Sequence, residues 1–412
     1  MEDWSECKLG DLFEIKHGFA FKGEHFVDAG EYVLLTPGNF KEEGGLKLKG
    51  DKEKFYSGEF PKDYLLCKGD IVVAMTDLTQ NAPILGSSAV IPQGGRFLHN
   101  QRLGKIINLK TNQALPEFVF YLFNTPSVRE QIKGSATGAT VKHTAPSRIY
   151  DVSTLLPPLP VQRSIAGILS SYDELIKNNQ RRIRILEDMA RSLYREWFVH
   201  FRYPGHESVP LVDSTLGQIP QGWEVKKLKE VCSLTMGSSP KSEFYNETGD
   251  GLPFHQGVTN FGDRFPTDRL FCTVESRIAD AGDILFSVRA PVGRMNITDK
   301  KIIIGRGLSA IHHNAGHQAF LWEQLRAKFT EEDMMGNGAI FASVTKDDMQ
   351  GIELLCPAEQ IINYATRYFQ PLHSEIEVLI KQTANLRRTR DLLLPRLLSG
   401  QVELTPEKEC MP

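Results

Sequence analysis

Apolar and polar positions along the chain follow an order that occurs twice. Short apolar runs come first: IVVA after Gly69-Asp70 and ILF after Gly282-Asp283 each read as a strand fed by a Gly-Asp turn. Trp4 with Leu9 corresponds to Trp223 with Leu228, each pair opening an amphipathic stretch that ends at Gly18 or Gly237. PILG from Pro83 parallels PVG from Pro291, and FVFYLF from Phe118 parallels FLWEQL from Phe320. Gly138-Ala139 then answers Gly338-Ala339, and LPPLPVQ ending at Gln162 answers LCPAEQ ending at Gln360. The separation of matched positions shrinks from 219 residues (Trp4 to Trp223) to 200 (Tyr172 to Leu372), so length changes fall in connecting loops. The pattern predicts two similar globular units, each followed by one long helix.

Those helices carry the strongest periodicity. Tyr172, Ile176, Asn179, Ile183, Leu186, Ala190, Leu193 and Trp197 alternate steps of four and three, the seam of a coiled coil. Leu372, Ile376, Leu379, Thr383, Leu386, Arg390, Leu393 and Leu397 repeat the same register. Two matched seams in one chain most simply satisfy each other, and the intervening globular unit favours an antiparallel pairing. Asn179, Thr383 and Arg390 interrupt the seams with polar groups, which can fix register at some cost in stability.

Composition narrows the function classes. The 412 residues suggest two to three domains, and 41% hydrophobic with 24% charged residues is ordinary for a globular protein. No apolar run approaches a membrane span, and the acidic start MEDWSECKLGD is unlike a signal peptide. Cys7, Cys67, Cys232, Cys272, Cys356 and Cys410 show no CxxC pairing, so neither a zinc site nor a disulfide framework is expected, and a reducing cytoplasm is the simplest home. A net charge of -3 excludes a wholly basic nucleic-acid coat but not a local basic surface.

Catalytic motifs are missing: the chain has no GK[ST] phosphate loop, no HExxH and no GxSxG elbow. His312-His313 with His317 lack a metal-ligand spacing. Asp347-Asp348 and Glu331-Glu332-Asp333 read better as solvated turns or helix starts than as paired catalytic acids.

The repeat, the two long helices and the PPLPVQ and CPAEQ boundaries together resemble the specificity subunits of type I DNA restriction–modification systems. LGQIPQGWEVKKL from Leu216 resembles the opening of that family's target-recognition domains. The stretch PPLPVQRSIAGILSSYDELIKNNQRRIRILEDMARSLYREWFV from Pro157 resembles its central spacer helix, and LLLPRLLSGQVEL from Leu392 its distal one. Val161 departs from the Glu common before the Gln, and Arg390 is unusual in the second seam.

The resemblance implies an α+β chain of two similar mixed α/β target-recognition domains joined by an antiparallel coiled coil. Its parts would be a first recognition domain (1–156), central helix region (157–203), linker (204–222), second recognition domain (223–356), distal helix region (357–404) and tail (405–412). It further implies a subunit without a catalytic centre, each globular unit reading one half of a bipartite double-stranded DNA target while the helices set the gap. Two adenine-N6 methyltransferase subunits carrying S-adenosylmethionine would dock, and ATP- and Mg-dependent restriction subunits would complete the assembly in the cytoplasm. The roughly 27 residues from Tyr172 to Phe198 span about 40 Å, near the ~34–36 Å between half-sites one DNA turn apart.

Candidate DNA contacts follow from base-edge chemistry, in which Arg suits guanine, Asn or Gln suits adenine, and Lys or hydroxyls hold phosphates. The loops after the Gly-Asp strands carry Thr76, Asp77, Gln80 and Asn81, answered by Arg289 and Arg294. His99, Asn100, Gln101 and Arg102 answer the region of Arg306. Thr140, Lys142 and His143 stand opposite Ser343, Thr345 and Lys346. Arg181, Arg182 and Arg184, with Arg387, Arg388 and Arg390, add basic groups on the helices, where solvated faces or interhelical pairs are the simpler expectation. Two other classes are compatible with parts of this pattern: a free-standing DNA-binding or scaffold protein dimerising through its coiled coil, and an autonomous DNA methyltransferase.

Overall fold

The computed structural model describes residues 4–331, 343–402 and 404. Gly338-Ala339, Glu332-Asp333, Cys410 and the tail from Thr405 lie outside the described residues, as does the side chain of Glu331. Cys7, Cys67, Cys232, Cys272 and Cys356 are free thiols. Among the described residues, no helix is long and apolar enough to cross a membrane.

The chain separates into two compact units, Met1–Ile176 with Asn385–Pro412, and Lys177–Ala384. Both long helices, the central one (Leu159–Tyr194) and the distal one (Glu359–Leu398), run through the boundary, so each unit owns a stretch of both.

Unit 1 is organised around an antiparallel sheet in the order Glu14–His17, Leu103–Ile107, Ile71–Ala74, Ser88–Val90. Ile71–Ala74 is an inner strand buried on both faces, which is why it needs a continuous apolar run where a half-exposed strand would alternate. Its Gly-Asp turn is explained by geometry. Gly69 sits at φ +88°, where a side chain would be strained, and the Asp70 carboxylate accepts the Cys67 N–H at 2.8 Å and pairs with Lys105 Nζ at 2.6 Å. A second sheet brings Tyr32–Leu35 parallel to Phe97–His99. Ser5–Lys8 pairs antiparallel with Ser153–Leu156, just ahead of the central helix.

Unit 2 repeats the plan. Its antiparallel sheet runs Cys232–Met236, Leu308–His313, Ile284–Ser287, Met295–Ile297. Gly282 takes φ +91°, and Asp283 accepts the Asp280 N–H at 2.9 Å. The parallel pair recurs as Phe254–His255 beside Ile303–Ile304, and the ribbon as Glu224–Lys227 with Glu353–Cys356. The architecture is thus the expected two mixed α/β units with long helices.

All sixteen seam positions are buried or half-buried. In unit 1, Ile165 and Leu169 of the central helix share a core with Leu397 and Leu398 of the distal helix. In unit 2, Ala190, Tyr194, Trp197 and Phe198 share one with Ile362, Ala365 and Phe369. Early residues of one helix therefore meet late residues of the other within each unit, an antiparallel arrangement. Arg390 is accommodated in the seam because its Nη1 meets Asp173 Oδ1 at 2.6 Å, both side chains being largely withdrawn from water.

A polar pin ties each sheet-bearing body to its long helix, and the two pins occupy corresponding positions with different chemistry. In unit 1 the Tyr121 hydroxyl donates to Asp173 Oδ2 at 2.8 Å. In unit 2 His373 Nε2 lies 3.0 Å from Glu323 Oε1, and Arg264 Nη2 lies 2.5 Å from His373 Nδ1. Arg264 also lies over the Trp322 ring at 4.8 Å, and its Nε lies 4.0 Å from Glu377. Burial holds the His373 imidazole below its usual pKa despite Glu323, so it is neutral, accepting from Arg264 on one nitrogen and donating to Glu323 from the other. Replacing His373 with Ala leaves a buried guanidinium and carboxylate short of partners. Stability measured by urea denaturation should fall by about 3 kcal/mol, whereas Glu323→Gln, which keeps an acceptor for the imidazole N–H, should cost clearly less.

Candidate nucleic-acid interface

The inner strand of each main sheet ends in a residue whose two backbone groups reach two different loops. In unit 1, the Met75 N–H donates to the Arg102 carbonyl at 3.0 Å, and the Met75 carbonyl accepts the Thr144 N–H at 3.0 Å. In unit 2, the Val288 N–H donates to the Gly307 carbonyl at 3.0 Å, and the Val288 carbonyl accepts the Val344 N–H at 2.8 Å. Three segments far apart in sequence thereby converge at one place in each unit. Next to this node, Thr76-Asp77 pairs with Lys142-His143, and Arg289 bridges to Ser343. The three residue clusters predicted in each half are thus neighbours.

Within those clusters the side chains divide by exposure. Gln80, Asn81, Gln101, Arg102, Thr140 and His143 are exposed in unit 1, as are Arg289, Arg294, Arg306, Ser343, Thr345 and Lys346 in unit 2; Asn100 and Lys142 are half-buried. Among the described residues, none of Arg102, Lys142, Arg289, Arg294, Arg306 and Lys346 makes an ion pair. Thr345 is committed to a helix start, its hydroxyl donating to Asp348 Oδ2 at 2.6 Å.

Three candidates lie inside the fold and are corrected accordingly. Asp77 is 2% exposed, and its carboxylate accepts the Thr79 N–H at 2.9 Å, the Thr79 hydroxyl at 2.8 Å and the Ile84 N–H at 2.8 Å. It builds the loop that displays Gln80 and Asn81 and has no face left for a base. Thr76 is buried with its hydroxyl 3.1 Å from His143 Nδ1. His99 is fully buried, with Nε2 2.9 Å from the Leu103 carbonyl and Nδ1 without a partner.

Two residues that support the loops were missed. Arg129, in the helix Pro126–Gly134, is buried, and its guanidinium donates to the carbonyls of Leu85 at 2.8 Å, Glu42 at 2.9 Å and Pro83. Burial lowers its pKa to about 10 although Asp77 and Glu42 oppose the shift, so it stays charged and holds the loop from below. Phe329 takes the corresponding place in unit 2, its ring 4.8 Å from Phe286 and its Cβ against Gly293. A signal for Arg129 existed: it falls three residues before Ile132 and beside Val128, on the buried stripe of its helix.

The remaining polar clusters have structural partners. His312 Nδ1 lies 2.9 Å from Asp283, His313 Nδ1 accepts the Ala315 N–H at 3.1 Å, and His317 Nδ1 lies 3.1 Å from the Thr366 hydroxyl. Among the described residues, no group of three or more His, Cys, Asp or Glu could hold a metal ion. Of the helix arginines, Arg182 pairs with Glu375 at 2.6 Å; Arg181, Arg184 and Arg388 are exposed and Arg387 half-buried.

His99 supplies a pH dependence. Burial first, then the nearby charges of Lys105 and Lys16, lower its pKa to about 4 against the bond to Leu103. The unfolded imidazole takes its proton first, so this contribution is intact above pH ~6.5 and is lost as pH falls towards 4. The loss is on the order of 3 kcal/mol. Urea denaturation at a series of pH values should show it, and His99→Gln should flatten that part of the profile.

Comparison with known proteins adds an independent line. A family model described as a type I restriction modification DNA specificity domain matches residues 1–188 and 220–382. The putative type I restriction enzyme MjaX specificity subunit of Methanocaldococcus jannaschii is 29% identical, covering 98% of this chain and 94% of its own. The HindI specificity subunit of Haemophilus influenzae is 22% identical over 98% of this chain and all of its own. Among solved structures, the S subunit of a type I restriction–modification system from M. genitalium superposes with a TM-score of 0.63 at 18% identity, covering 98% of this chain and 97% of that one.

Proposed function

This chain belongs to the family of type I restriction–modification DNA specificity subunits, and from that premise we propose that each of its two units reads one half of a bipartite target in double-stranded DNA. It is the DNA-recognition subunit of a methyltransferase and restriction complex and is itself non-catalytic, the chemistry residing in partner subunits. The observation that carries the two-reader proposal is the duplicated node at Met75 and Val288, which gathers three loops with exposed polar and cationic side chains in each unit. Two non-identical loop sets give an asymmetric target, since base edges in the major groove distinguish all four base pairs.

In this proposal the paired helices set the gap between half-sites and dock two methyltransferase subunits. S-adenosylmethionine belongs to those subunits, ATP and Mg to the restriction subunits, and the assembly works in the cytoplasm. The continuous heptad register through both helices supports the first part.

The chain purified alone, supplied with S-adenosylmethionine and DNA, should transfer no methyl group, and adding its methyltransferase subunit should produce sequence-specific adenine methylation. Replacing Gln101 or Arg102 should relax discrimination at one half-site only, by about 1–3 kcal/mol. A uniform loss over all sequences with a shallower salt dependence would assign those residues to phosphates instead.

Inserting one heptad after Ile183 and another after Thr383 should extend the helix pair by ~10 Å, roughly 3 bp of DNA. Methylation of a library varying only in gap length should then peak two to three base pairs longer with the half-sites unchanged. An unmoved optimum in a folded, active variant would show that the helices do not set the spacing.

A further inference from the structure

The two nodes share a backbone and differ in what they display. Around Met75, the exposed side chains with bidentate hydrogen-bonding capacity are three carboxamides, Gln80, Asn81 and Gln101, and one guanidinium, Arg102. The fourth carboxamide, Asn100, is already used, its Oδ1 accepting the Arg102 N–H at 2.9 Å. Around Val288 the proportion inverts among the described residues, with three exposed guanidinium groups, Arg289, Arg294 and Arg306, and one exposed carboxamide, Gln256.

The arginines stand on firmly built loops. The Ser287 hydroxyl donates to the Pro291 carbonyl at 2.6 Å and accepts the Arg294 N–H at 2.8 Å, so the short 288–294 loop is closed at its base. Arg306 lies between two glycines with no room for a side chain. A Cβ on Gly305 would come 2.7 Å from Gln256 Cα, and one on Gly307 would come 2.5 Å from the Gln256 carbonyl. The Arg306 N–H is bound by Ser239 Oγ at 3.2 Å. The turn is thus pressed onto the 256–257 backbone, and Arg306 is its one side chain. Unit 1 builds its loop differently, with the Asp77 carboxylate inside and Arg129 beneath, and the side chains exposed on it are Leu78, Thr79, Gln80 and Asn81.

A guanidinium fork matches guanine O6 and N7, and a carboxamide matches adenine N7 and N6. Arginines without an internal ion pair need break nothing to reach a base, whereas Arg129 and Arg264 are spent inside the fold. We propose that the two half-sites differ in base composition, the half read by unit 2 being specified chiefly through G·C pairs by Arg289, Arg294 and Arg306, and the half read by unit 1 chiefly through A·T pairs by Gln80, Asn81 and Gln101. This rests on the two-reader function proposed above and names the ligand chemistry of each reader.

The experiment maps adenine methylation on a randomised DNA library treated with the purified complex of this chain and its methyltransferase subunit. Parallel measurements use Arg306→Gln and Gln101→Ala. The expected result is a split motif with one G·C-rich and one A·T-rich half. Arg306→Gln should lose about 10- to 100-fold discrimination at one G·C position of the first, and Gln101→Ala a similar factor at one A·T position of the second. Equal composition of the halves, relaxation at the opposite kind of base pair, or a uniform loss of methylation on all sequences in the Arg306 variant would each overturn the assignment while leaving the two-reader function standing. Methylation without a split motif would overturn that function itself, and this inference with it.

Discussion

A buried strand cannot end with its amide and carbonyl unpaired, because desolvating either without a partner costs on the order of 1–3 kcal/mol. At Met75 and Val288 that requirement is met by loops arriving from elsewhere in the chain, and this brings the candidate contacts of each unit together. The strand itself is held in the sheet by burial on both faces and by the Gly-Asp turn that precedes it. Side chains on the loops are therefore free to differ between units while the backbone node beneath them is the same. That separation of scaffold from display is what a recognition subunit requires.

The support beneath the loops shows how different chemistry can fill one role. Arg129 holds three carbonyls with a buried guanidinium, whereas Phe329 packs a ring against Phe286 and Gly293. Polar support is directional and fixes the loop by hydrogen-bond geometry. Apolar support is set by shape and has no preferred direction. The pins to the long helices divide in the same way, a tyrosine with an aspartate in one unit and a histidine between arginine and glutamate in the other.

Features written in local periodicity were legible in the sequence. The heptad seams, the Gly-Asp strands and the duplication each depend on residues a few positions apart or on direct self-comparison. The burial of Asp77 and His99 was not legible, because a polar residue in a Thr/Asn/Gln-rich loop looks the same whether it faces water or the loop's own backbone. Matched positions do not always carry the same contacts. Gln162 is fully buried, bonded to Leu115, Gln113 and Pro157, while its match Gln360 is exposed. In unit 2 the strand end near the distal helix is secured instead by Gln324, which donates to the Leu355 carbonyl at 2.7 Å from another element.

Unit 2 is one uninterrupted stretch of chain, Lys177–Ala384, whereas unit 1 closes only when its first 176 residues meet the segment beginning at Asn385. Leu393, Leu394, Leu397 and Leu398 belong to the main core of unit 1, against Ile165 and Leu169. On the ribosome, the reader synthesised first is therefore the one completed last. Until the distal helix emerges, the apolar face around Ile165 and Leu169 waits uncovered, through the roughly 10 to 40 s needed to translate the intervening two hundred residues at ~5–20 residues per second. The nascent chain is exposed to misassociation over that interval, and a polypeptide stopped short of Leu393 would carry a finished second reader beside an open first one.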